Sequence, residues 1–261
     1  MTYTFQQFRE NFTLAADPAV WMKAQTKMKP DPWQAAVLRS TASRLYLCCS
    51  RQSGKSQTTS ILAAHTALFQ KDQLILVLSP SQRQSSELFK KIKAVLRGVE
   101  TNSFEAETAL TCELNNGSRI ISLPGNPSTV RTYAADVVVI DEASRTVDTL
   151  YRAVRPMLAT KPNGKLLLLS TPAARSGYFW EIHKGDDPDW ERYNIPADQC
   201  PRISAKFLEQ ERKSLPKYIF EREYFCKFPQ EEESYFMEND ILDCFVDKAP
   251  FILRGLEKND E

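Results

Sequence analysis

The chain has 261 residues, of which 42% are hydrophobic and 26% are charged, and its formal net charge is +1. This composition is typical of a globular protein with a sizeable core, and the small net charge excludes a polycationic chain. Any binding of nucleic acid therefore depends on a local patch of the surface or on an assembly.

Cysteine and histidine usage argues against a structural zinc site and against a disulfide framework. The chain has two histidines, His65 and His183, and no Cys-x-x-Cys pair. No signal peptide is visible, and no stretch approaches the roughly 18 apolar residues of a membrane span. We therefore expect a protein of a reducing, cytosolic compartment without membrane contact. The six cysteines lie at positions 48, 49, 112, 200, 226 and 244.

The N-terminal half of the chain alternates helical patterns with short apolar runs. In chain order the predicted elements are helices at Thr4–Thr13, Ala19–Met28 and Trp33–Thr41, a strand at Leu45–Cys49, a helix at Gln57–Phe69, a strand at Leu74–Ser79, an amphipathic helix at Ser81–Val99 and a hairpin formed by Leu110–Leu114 and Ser118–Leu123.

The C-terminal half continues this alternation. The predicted elements are strands at Val137–Ile140 and Lys165–Ser170 with a helix at Thr149–Leu158 between them, a weaker strand at Trp190–Ile195, and helices at Ala205–Ser214 and Lys217–Phe225. Strands that are apolar throughout and alternate with helices indicate an α/β fold, with a mainly parallel sheet flanked by helices on both faces.

The first strand of this sheet leads directly into Ser53-Gly54-Lys55-Ser56 and then into a helical pattern. This order places backbone N–H groups and a helix N-terminus around an anion. In such a loop Lys55 reaches the β- and γ-phosphates and Ser56 ligates Mg²⁺. The loop departs from the G-x-x-x-x-G-K-[ST] pattern because Cys49 stands where the first glycine is expected. The residues predicted to bind the nucleotide in this segment are Ser50, Arg51, Gln52, Ser53, Gly54, Lys55, Ser56 and Gln57.

A second motif is the apolar strand that ends in Asp141-Glu142. The carboxyl ends of strands in open α/β sheets face the ligand crevice. The pair is typical of a Walker B motif, in which Asp141 holds Mg²⁺ through its water shell and Glu142 acts as general base on the attacking water. The alternative is an acidic pair that only caps the next helix. The presence of a phosphate loop in the same chain favours the Walker B interpretation over this alternative.

A third motif is the strand that ends in Ser170-Thr171-Pro172. Two hydroxyls at this point could hydrogen-bond Glu142 or the γ-phosphate, and they would then report the state of the nucleotide. The alternative is that Ser170 and Thr171 only cap the following turn.

Two arginines are candidates for stabilising the charge that develops in phosphoryl transfer. Arg51 lies inside the phosphate loop and can contact the γ-phosphate of its own subunit; the alternative is an ion pair at the mouth of the loop. Arg131 precedes the Walker B strand and could act in trans on the nucleotide of a neighbouring subunit; the alternative is an ordinary surface arginine. An arginine finger can contribute about 10³–10⁵ in rate.

Trp33 and Gln34 follow a turn and precede the first strand of the sheet. A glutamine amide can make paired hydrogen bonds to the edge of an adenine, and a tryptophan can pack beside it. Gln34 is therefore a candidate for binding the base of the nucleotide.

Taken together, these motifs resemble the N-terminal ATPase domain of the large terminase family of tailed phages, the motors that package DNA into procapsids. The residues that carry the resemblance are the loop Arg51–Ser56 with its arginine and its missing first glycine, Gln34, the pair of motifs Val137–Ala143 and Leu166–Pro172, and the segment Leu215–Phe225. The resemblance implies a P-loop NTPase fold of the ASCE, or RecA-like, type with a small C-terminal helical lid, and ATP and Mg²⁺ as cofactors.

The same resemblance implies roles and partners. Arg51 would be the cis arginine and Arg131 a trans finger, while Ser170 and Thr171 would couple hydrolysis to movement of the lid. The implied partners are double-stranded DNA, the portal protein and the small terminase subunit. The chain would form a homo-oligomeric ring when assembled and be a monomer alone, in the cytoplasm of the bacterial host cell.

The expected domain organisation is an N-terminal helical extension at 1–30, the ATPase core at 31–200, the lid at 201–235 and a tail at 236–261. Full terminases continue into a nuclease of ribonuclease H type, whereas this chain ends at Glu261. The acidic residues Asp240, Asp243 and Asp247 lie too close together to make such a nuclease site, so we do not expect this chain to cut DNA.

Two other functions share part of this pattern. A DExx-type helicase or translocase would carry the same motifs but needs a second motor domain, for which 261 residues leave no room. A nucleotide-binding assembly scaffold without turnover would not need the intact set of Lys55, Ser56, Asp141 and Glu142.

Overall fold

The computed structural model describes residues 5–99 and 104–229, with side chains from Arg9 onward, and the predicted tail at 236–261 lies outside that part. The described strands are β1 (Arg44–Cys49), β2 (Leu74–Ser79), β3 (Phe104–Glu107), β4 (Thr111–Leu114), β5 (Arg119–Pro124), β6 (Val137–Asp141), β7 (Lys165–Ser170) and β8 (Glu191–Ile195). They form one sheet in the order β3-β4-β5-β2-β6-β7-β1-β8. The neighbouring strands β5, β2, β6, β7, β1 and β8 pair parallel to one another. At one edge of the sheet, β3 pairs antiparallel with β4, and β4 pairs antiparallel with β5.

Helices cover both faces of the sheet. The described helices are α1 (Phe5–Ala16), α2 (Pro18–Thr26), α3 (Pro32–Arg39), α4 (Lys55–Phe69), α5 (Gln82–Arg97), α6 (Pro127–Val130), α7 (Asp148–Val154), α8 (Gly177–Lys184), α9 (Ala205–Ser214) and α10 (Lys217–Phe225). Short 3₁₀ turns lie at Ala143–Arg145, Arg155–Leu158 and Ala197–Gln199. None of the helices in the described part of the chain combines the length and the apolarity that crossing a membrane requires.

Two apolar layers form because successive side chains of a strand point to opposite faces of the sheet. In β1, Leu45 and Leu47 pack in one layer with α4 and α5, whereas Tyr46 and Cys48 pack in the other layer with α7 and α8. Burial on both faces explains why the central strands have no polar alternation in the sequence. The mainly parallel α/β sheet predicted from the sequence is thereby confirmed.

The strand register brings three predicted motifs to one edge of the sheet. Asp141 at the end of β6 lies opposite Leu169 of β7, and Ser170 at the end of β7 lies opposite Cys48 of β1. The phosphate loop follows β1 immediately, so the loop, the acidic pair and the hydroxyl motif all lie at the carboxyl ends of adjacent parallel strands.

Several elements differ from the sequence prediction in their extent. The helix predicted at Thr149–Leu158 is α7 followed by a 3₁₀ turn, because Pro156 has no N–H to continue the α-helical bonding. The helix after the phosphate loop begins at Lys55, directly after the left-handed Gly54, rather than at Gln57. Strand β3 and helices α6 and α8 were not predicted, although α8 buries Tyr178, Phe179 and Ile182 at helical spacing.

The N-terminal helices pack on the body of the fold. Trp21 of α2 is 1% exposed, and its ring lies edge-on to His65 and Phe69 of α4, with centroids 5.5 and 6.0 Å away. Residues 18–26 therefore share the apolar layer that supports the phosphate-loop helix, and the domain boundary near residue 30 stays a prediction.

Replacing Trp21 by Ala should lower the free energy of unfolding by about 3–5 kcal/mol, because it empties a fully enclosed site next to α4. Urea denaturation would measure this loss. Met28→Ala is the matched control, since Met28 is 45% exposed and should change stability by less than about 1 kcal/mol. Equal stability of the two variants would show that α2 does not support the core.

Candidate nucleotide-binding site

A cleft of about 510 Å³ lies at the carboxyl ends of β1 and β6. It is lined by Ser50, Arg51, Gln52, Gly54, Lys55, Ser56, Gln57, Gln84, Lys91, Glu142, Arg145 and Thr171. A larger cleft, of about 920 Å³, lies near the starts of β1 and β7 and contains none of the predicted site residues. We assign the site to the smaller cleft because its lining carries the chemistry of phosphate binding.

The phosphate loop owes its shape to two residues with left-handed backbone, Gln52 (φ 60°) and Gly54 (φ 99°). The Ser53 hydroxyl donates to the carbonyl of Ser50 at 2.9 Å, which closes the turn. A Cβ at Gly54 would stand 2.8 Å from Nη2 of Arg202 and 2.9 Å from Nε2 of Gln34. The left-handed φ of Gly54 favours glycine at this point, immediately before the N-terminus of α4, whereas the two side-chain ends could move.

Arg202 braces the loop from outside. Its Nη2 donates to the carbonyl of Ser53 at 2.9 Å and forms an ion pair with Asp31 Oδ2 at 2.9 Å. Asp31 is the residue before α3, so this arginine links the loop to the helix that carries Gln34. Sequence analysis did not single out Arg202, because the contact spans 149 residues.

Lys55 and Glu142 form an ion pair across the cleft. The Nζ of Lys55 donates to Oε1 of Glu142 at 2.9 Å, and the two side chains are only 14% and 22% exposed. Glu142 adopts a left-handed backbone, φ 51° and ψ 43°, which is rare for a residue with a side chain. Such strain is typical of functional positions, and here it turns the carboxylate toward the phosphate loop.

Asp141 is 8% exposed at the end of β6, and its Oδ1 accepts a hydrogen bond from the N–H of Glu142 at 3.0 Å. Burial raises the pKa of this carboxyl to about 6, while the charge of Lys55 acts in the opposite direction. An ionised carboxylate held in such a place is poorly compensated by the protein alone.

The donor set at this point fits Mg²⁺. The cation prefers oxygen ligands and is usually held by one or two protein groups together with substrate phosphates and water. Asp141 and the Ser56 hydroxyl supply hard oxygens, and no three His, Cys, Asp or Glu side chains cluster as a metal cage anywhere in residues 5–99 and 104–229. Ser56 and Asp141 as Mg²⁺ ligands remain a prediction, which this donor set supports.

The hydroxyl motif joins the ends of β6 and β7. The Oγ of Ser170 lies 2.7 Å from Oγ of Ser144 and 3.5 Å from Oε2 of Glu142. Ser144 also donates to the carbonyl of Thr171 at 2.8 Å. The predicted proximity of Ser170 to Glu142 is thus present, and Ser144, which the sequence did not single out, connects the two motifs.

Arg51 is held at the mouth of the loop by helix α10. Its guanidinium is 61% exposed and forms an ion pair with Glu223, whose side chain is 7% exposed. The backbone N–H of Arg51 also donates to the carbonyl of Glu223 at 2.9 Å. The structure therefore displays the ion pair that was the alternative for Arg51, and a contact of Arg51 with the γ-phosphate stays a prediction that requires release from Glu223.

Gln34 is completely buried beside the loop. Its Oε1 accepts from the N–H of Asp31 at 2.9 Å, and its Nε2 donates to Oγ1 of Thr58 in α4 at 3.0 Å. Neighbouring Trp33 is 7% exposed. In this arrangement Gln34 ties α3 to α4, and its predicted contact with adenine would need the buried amide to become accessible.

Arg131 lies outside the cleft that contains Lys55. It is exposed after α6 and lines a separate groove with Tyr133 and Arg152, and this groove shares no residue with the phosphate-binding cleft. The geometry therefore does not support a role for Arg131 in the nucleotide site of its own subunit. Action in trans on the nucleotide of a neighbouring subunit stays a prediction.

Residues 47–243 match the family described as "Terminase large subunit, T4likevirus-type, N-terminal". The chain is 27% identical over 260 residues to the large terminase subunit of Escherichia phage T5, a match that covers 94% of this chain and 58% of that protein. The chain spans about half the length of the first curated relatives that it matches, the large terminase subunits of two Thermus phages.

Solved structures show the same fold. The ATPase domain of the Thermus phage P74-26 large terminase superposes with a TM-score of 0.70 at 23% identity, covering 82% of this chain and 99% of that one. The large terminase of a thermophilic bacteriophage, solved in complex with ADP, superposes with a TM-score of 0.67 at 13% identity, covering 76% of this chain and 54% of that one.

Replacing Asp141 by Asn should stabilise the nucleotide-free fold. Since burial raises the pKa of Asp141 from an ordinary 3.8 to about 6, its ionisation opposes folding, and the penalty grows as the pH rises between these values and is complete above them. We expect Asp141→Asn to raise the free energy of unfolding by about 2 kcal/mol near pH 8 and by less near pH 5. Urea denaturation without Mg²⁺ measures both, and a variant less stable than the parent near pH 8 would contradict the burial argument.

Proposed function

The chain belongs to the N-terminal family of terminase large subunits, and we propose that it is the Mg²⁺-dependent ATPase domain of a viral packaging motor that drives double-stranded DNA into a procapsid. The observation that carries this proposal is the ion pair of Lys55 with Glu142 between the phosphate loop and the end of β6. It joins a phosphate-binding cation to a carboxylate that can act as a base, within one cleft.

ATP binding would use this pair directly. The phosphates would enter at the N-terminus of α4, where the backbone N–H groups and Lys55 attract an anion. Lys55 would then exchange Glu142 for phosphate oxygens, and the freed carboxylate would orient a water molecule and accept its proton. Ser170, at 3.5 Å from Glu142, would help to hold the carboxylate in place.

Mg²⁺, bound by Ser56 and Asp141 together with the phosphates, would neutralise the charge that develops on the phosphate oxygens. Binding of the cation requires Asp141 to be ionised. Because the pKa of Asp141 is raised to about 6, the carboxyl would be largely protonated below that pH and would bind the cation more weakly there. The buried carboxylate would thereby gain the counter-charge that the protein does not supply.

Arg51 would couple the nucleotide to the helices after β8. A γ-phosphate competes with Glu223 for the guanidinium, so that binding of ATP would loosen the contact between the loop and α10. Arg51 would then stabilise the transition state in cis, and α9 and α10 would act as the lid.

Assembly would complete the site. Arg131 lies outside its own cleft and would reach the nucleotide of the next subunit in a homo-oligomeric ring. Double-stranded DNA, the portal protein and the small terminase subunit are the partners that a packaging motor needs, and its work would take place in the cytoplasm of the bacterial host cell. These assignments rest on family membership.

Steady-state ATP hydrolysis with Mg²⁺, measured over a range of protein concentrations with and without double-stranded DNA, tests the proposal. We expect specific activity to rise with protein concentration or with DNA, because the trans arginine is available only between subunits. Glu142→Gln should lower turnover by about 10²-fold or more and leave ATP binding intact. A rate independent of concentration and DNA would refute the trans role of Arg131, and absence of turnover under all conditions would favour a nucleotide-binding scaffold.

A further inference from the structure

One part of the lining of the nucleotide cleft lies outside the sequence motifs and is basic. It consists of Gln84 and Lys91 on α5 and of Arg145 in the 3₁₀ turn after Glu142. Gln84 and Lys91 are seven residues apart, which places them two turns apart on one face of the helix. Two cations therefore line the cleft together with Lys55 without belonging to either sequence motif.

Lys91 differs in its contacts from the neighbouring lysines of α5. Its neighbours on α5 are paired, Lys90 with Glu87 at 2.8 Å and Lys93 with Glu107 at 2.9 Å. Lys91 is exposed and has no ion pair or hydrogen bond with any residue in the described ranges 5–99 and 104–229. Lys91 nevertheless belongs to the lining of the nucleotide cleft.

Arg145 lies close to Glu142, at the end of the 3₁₀ turn that follows this residue. Its Nε lies 3.7 Å from Oε2 of Glu142, and the side chain is 45% exposed. Glu142 is thus placed between Lys55 on one oxygen and Arg145 on the other. Once Lys55 turns to a phosphate, Arg145 is the cation that remains beside the carboxylate.

Charge balance favours a phosphate as the missing partner. A nucleoside triphosphate keeps a net negative charge after it binds a divalent cation, Glu142 adds a carboxylate to the cleft, and the buried Asp141 precedes it in the chain. Lys55 alone cannot compensate this charge, and Arg51 begins from an ion pair with Glu223. Lys91 and Arg145 supply two further positive charges in the lining of the same cleft.

We propose that Lys91 and Arg145 form a second cationic wall of this cleft, which binds the terminal phosphate of the nucleotide in cis. The proposal rests on the proposed function, since it assumes a nucleoside triphosphate in this cleft. It makes α5 a sensor of the γ-phosphate, and the same helix holds Glu107 of β3 through Lys93 and Arg97. Loss of the terminal phosphate after hydrolysis would release Lys91. The ion pairs of α5 with Glu107 would then transmit a movement of the helix to the antiparallel edge of the sheet.

The test compares the binding of a non-hydrolysable ATP analogue, AMP-PNP, with that of ADP to the full chain in the presence of Mg²⁺. Lys91→Ala and Arg145→Ala should each weaken AMP-PNP binding by about tenfold, the effect of one lost charge-assisted hydrogen bond, and should change ADP binding by less than about twofold. The melting temperature should stay that of the parent, because both side chains are exposed.

Two matched controls lie on the surface. Lys90→Ala removes a cation one residue from Lys91 that pairs with Glu87 instead, and Lys184→Ala removes a cation whose i,i+3 ion pair with Glu181 has the same spacing as that of Arg145 with Glu142. Neither control should alter the binding of AMP-PNP or ADP.

The failures of the two proposals are distinguishable. If the parent chain binds AMP-PNP and the Lys91 and Arg145 variants bind both nucleotides as the parent does, the cationic wall is refuted and the nucleotide site stands. If the variants weaken AMP-PNP and ADP equally, the contact with the terminal phosphate is refuted. If the parent binds neither nucleotide, the proposed function fails, and the wall fails with it.

Discussion

The ion pair between Lys55 and Glu142 is the constraint around which the cleft is organised. It joins the loop after β1 to the turn after β6, and both side chains are largely buried. A charge in such a place is costly unless it has a partner, so neither residue can leave the other without a replacement. A bound phosphate is the natural replacement for Glu142, which means that the nucleotide must exchange the contact that joins the phosphate loop to the end of β6.

Charged contacts also hold the phosphate loop at the edge of the cleft. Arg51 contacts Glu223, and Arg202 links Ser53 to Asp31, so the phosphate loop is tied to α10 and to α3 by charged groups. Each tie can be weakened by an anion in the loop. The apolar layers below, which hold α2 against α4, keep the supporting helices fixed while these polar contacts change.

Sequence reasoning captured the parts of the site that are contiguous in the chain. The phosphate loop, Asp141-Glu142 and Ser170-Thr171 each follow an apolar run, and parallel pairing brings the ends of such runs together. The partners of these motifs were not predictable in this way, because Arg51 meets Glu223 across 172 residues of chain. Lys91 could not be singled out in the sequence because α5 carries several cations on its polar face. Only the three-dimensional structure shows which of them lines the cleft.

A crystal structure of the chain with AMP-PNP and Mg²⁺ tests most directly whether the nucleotide replaces the internal ion pair. The account predicts that Nζ of Lys55 lies on the phosphate oxygens, beyond about 4 Å from Glu142, and that the Glu142 carboxylate faces a water molecule near the terminal phosphate. A structure with the nucleotide in the loop and the Lys55–Glu142 contact still at 2.9 Å would contradict it.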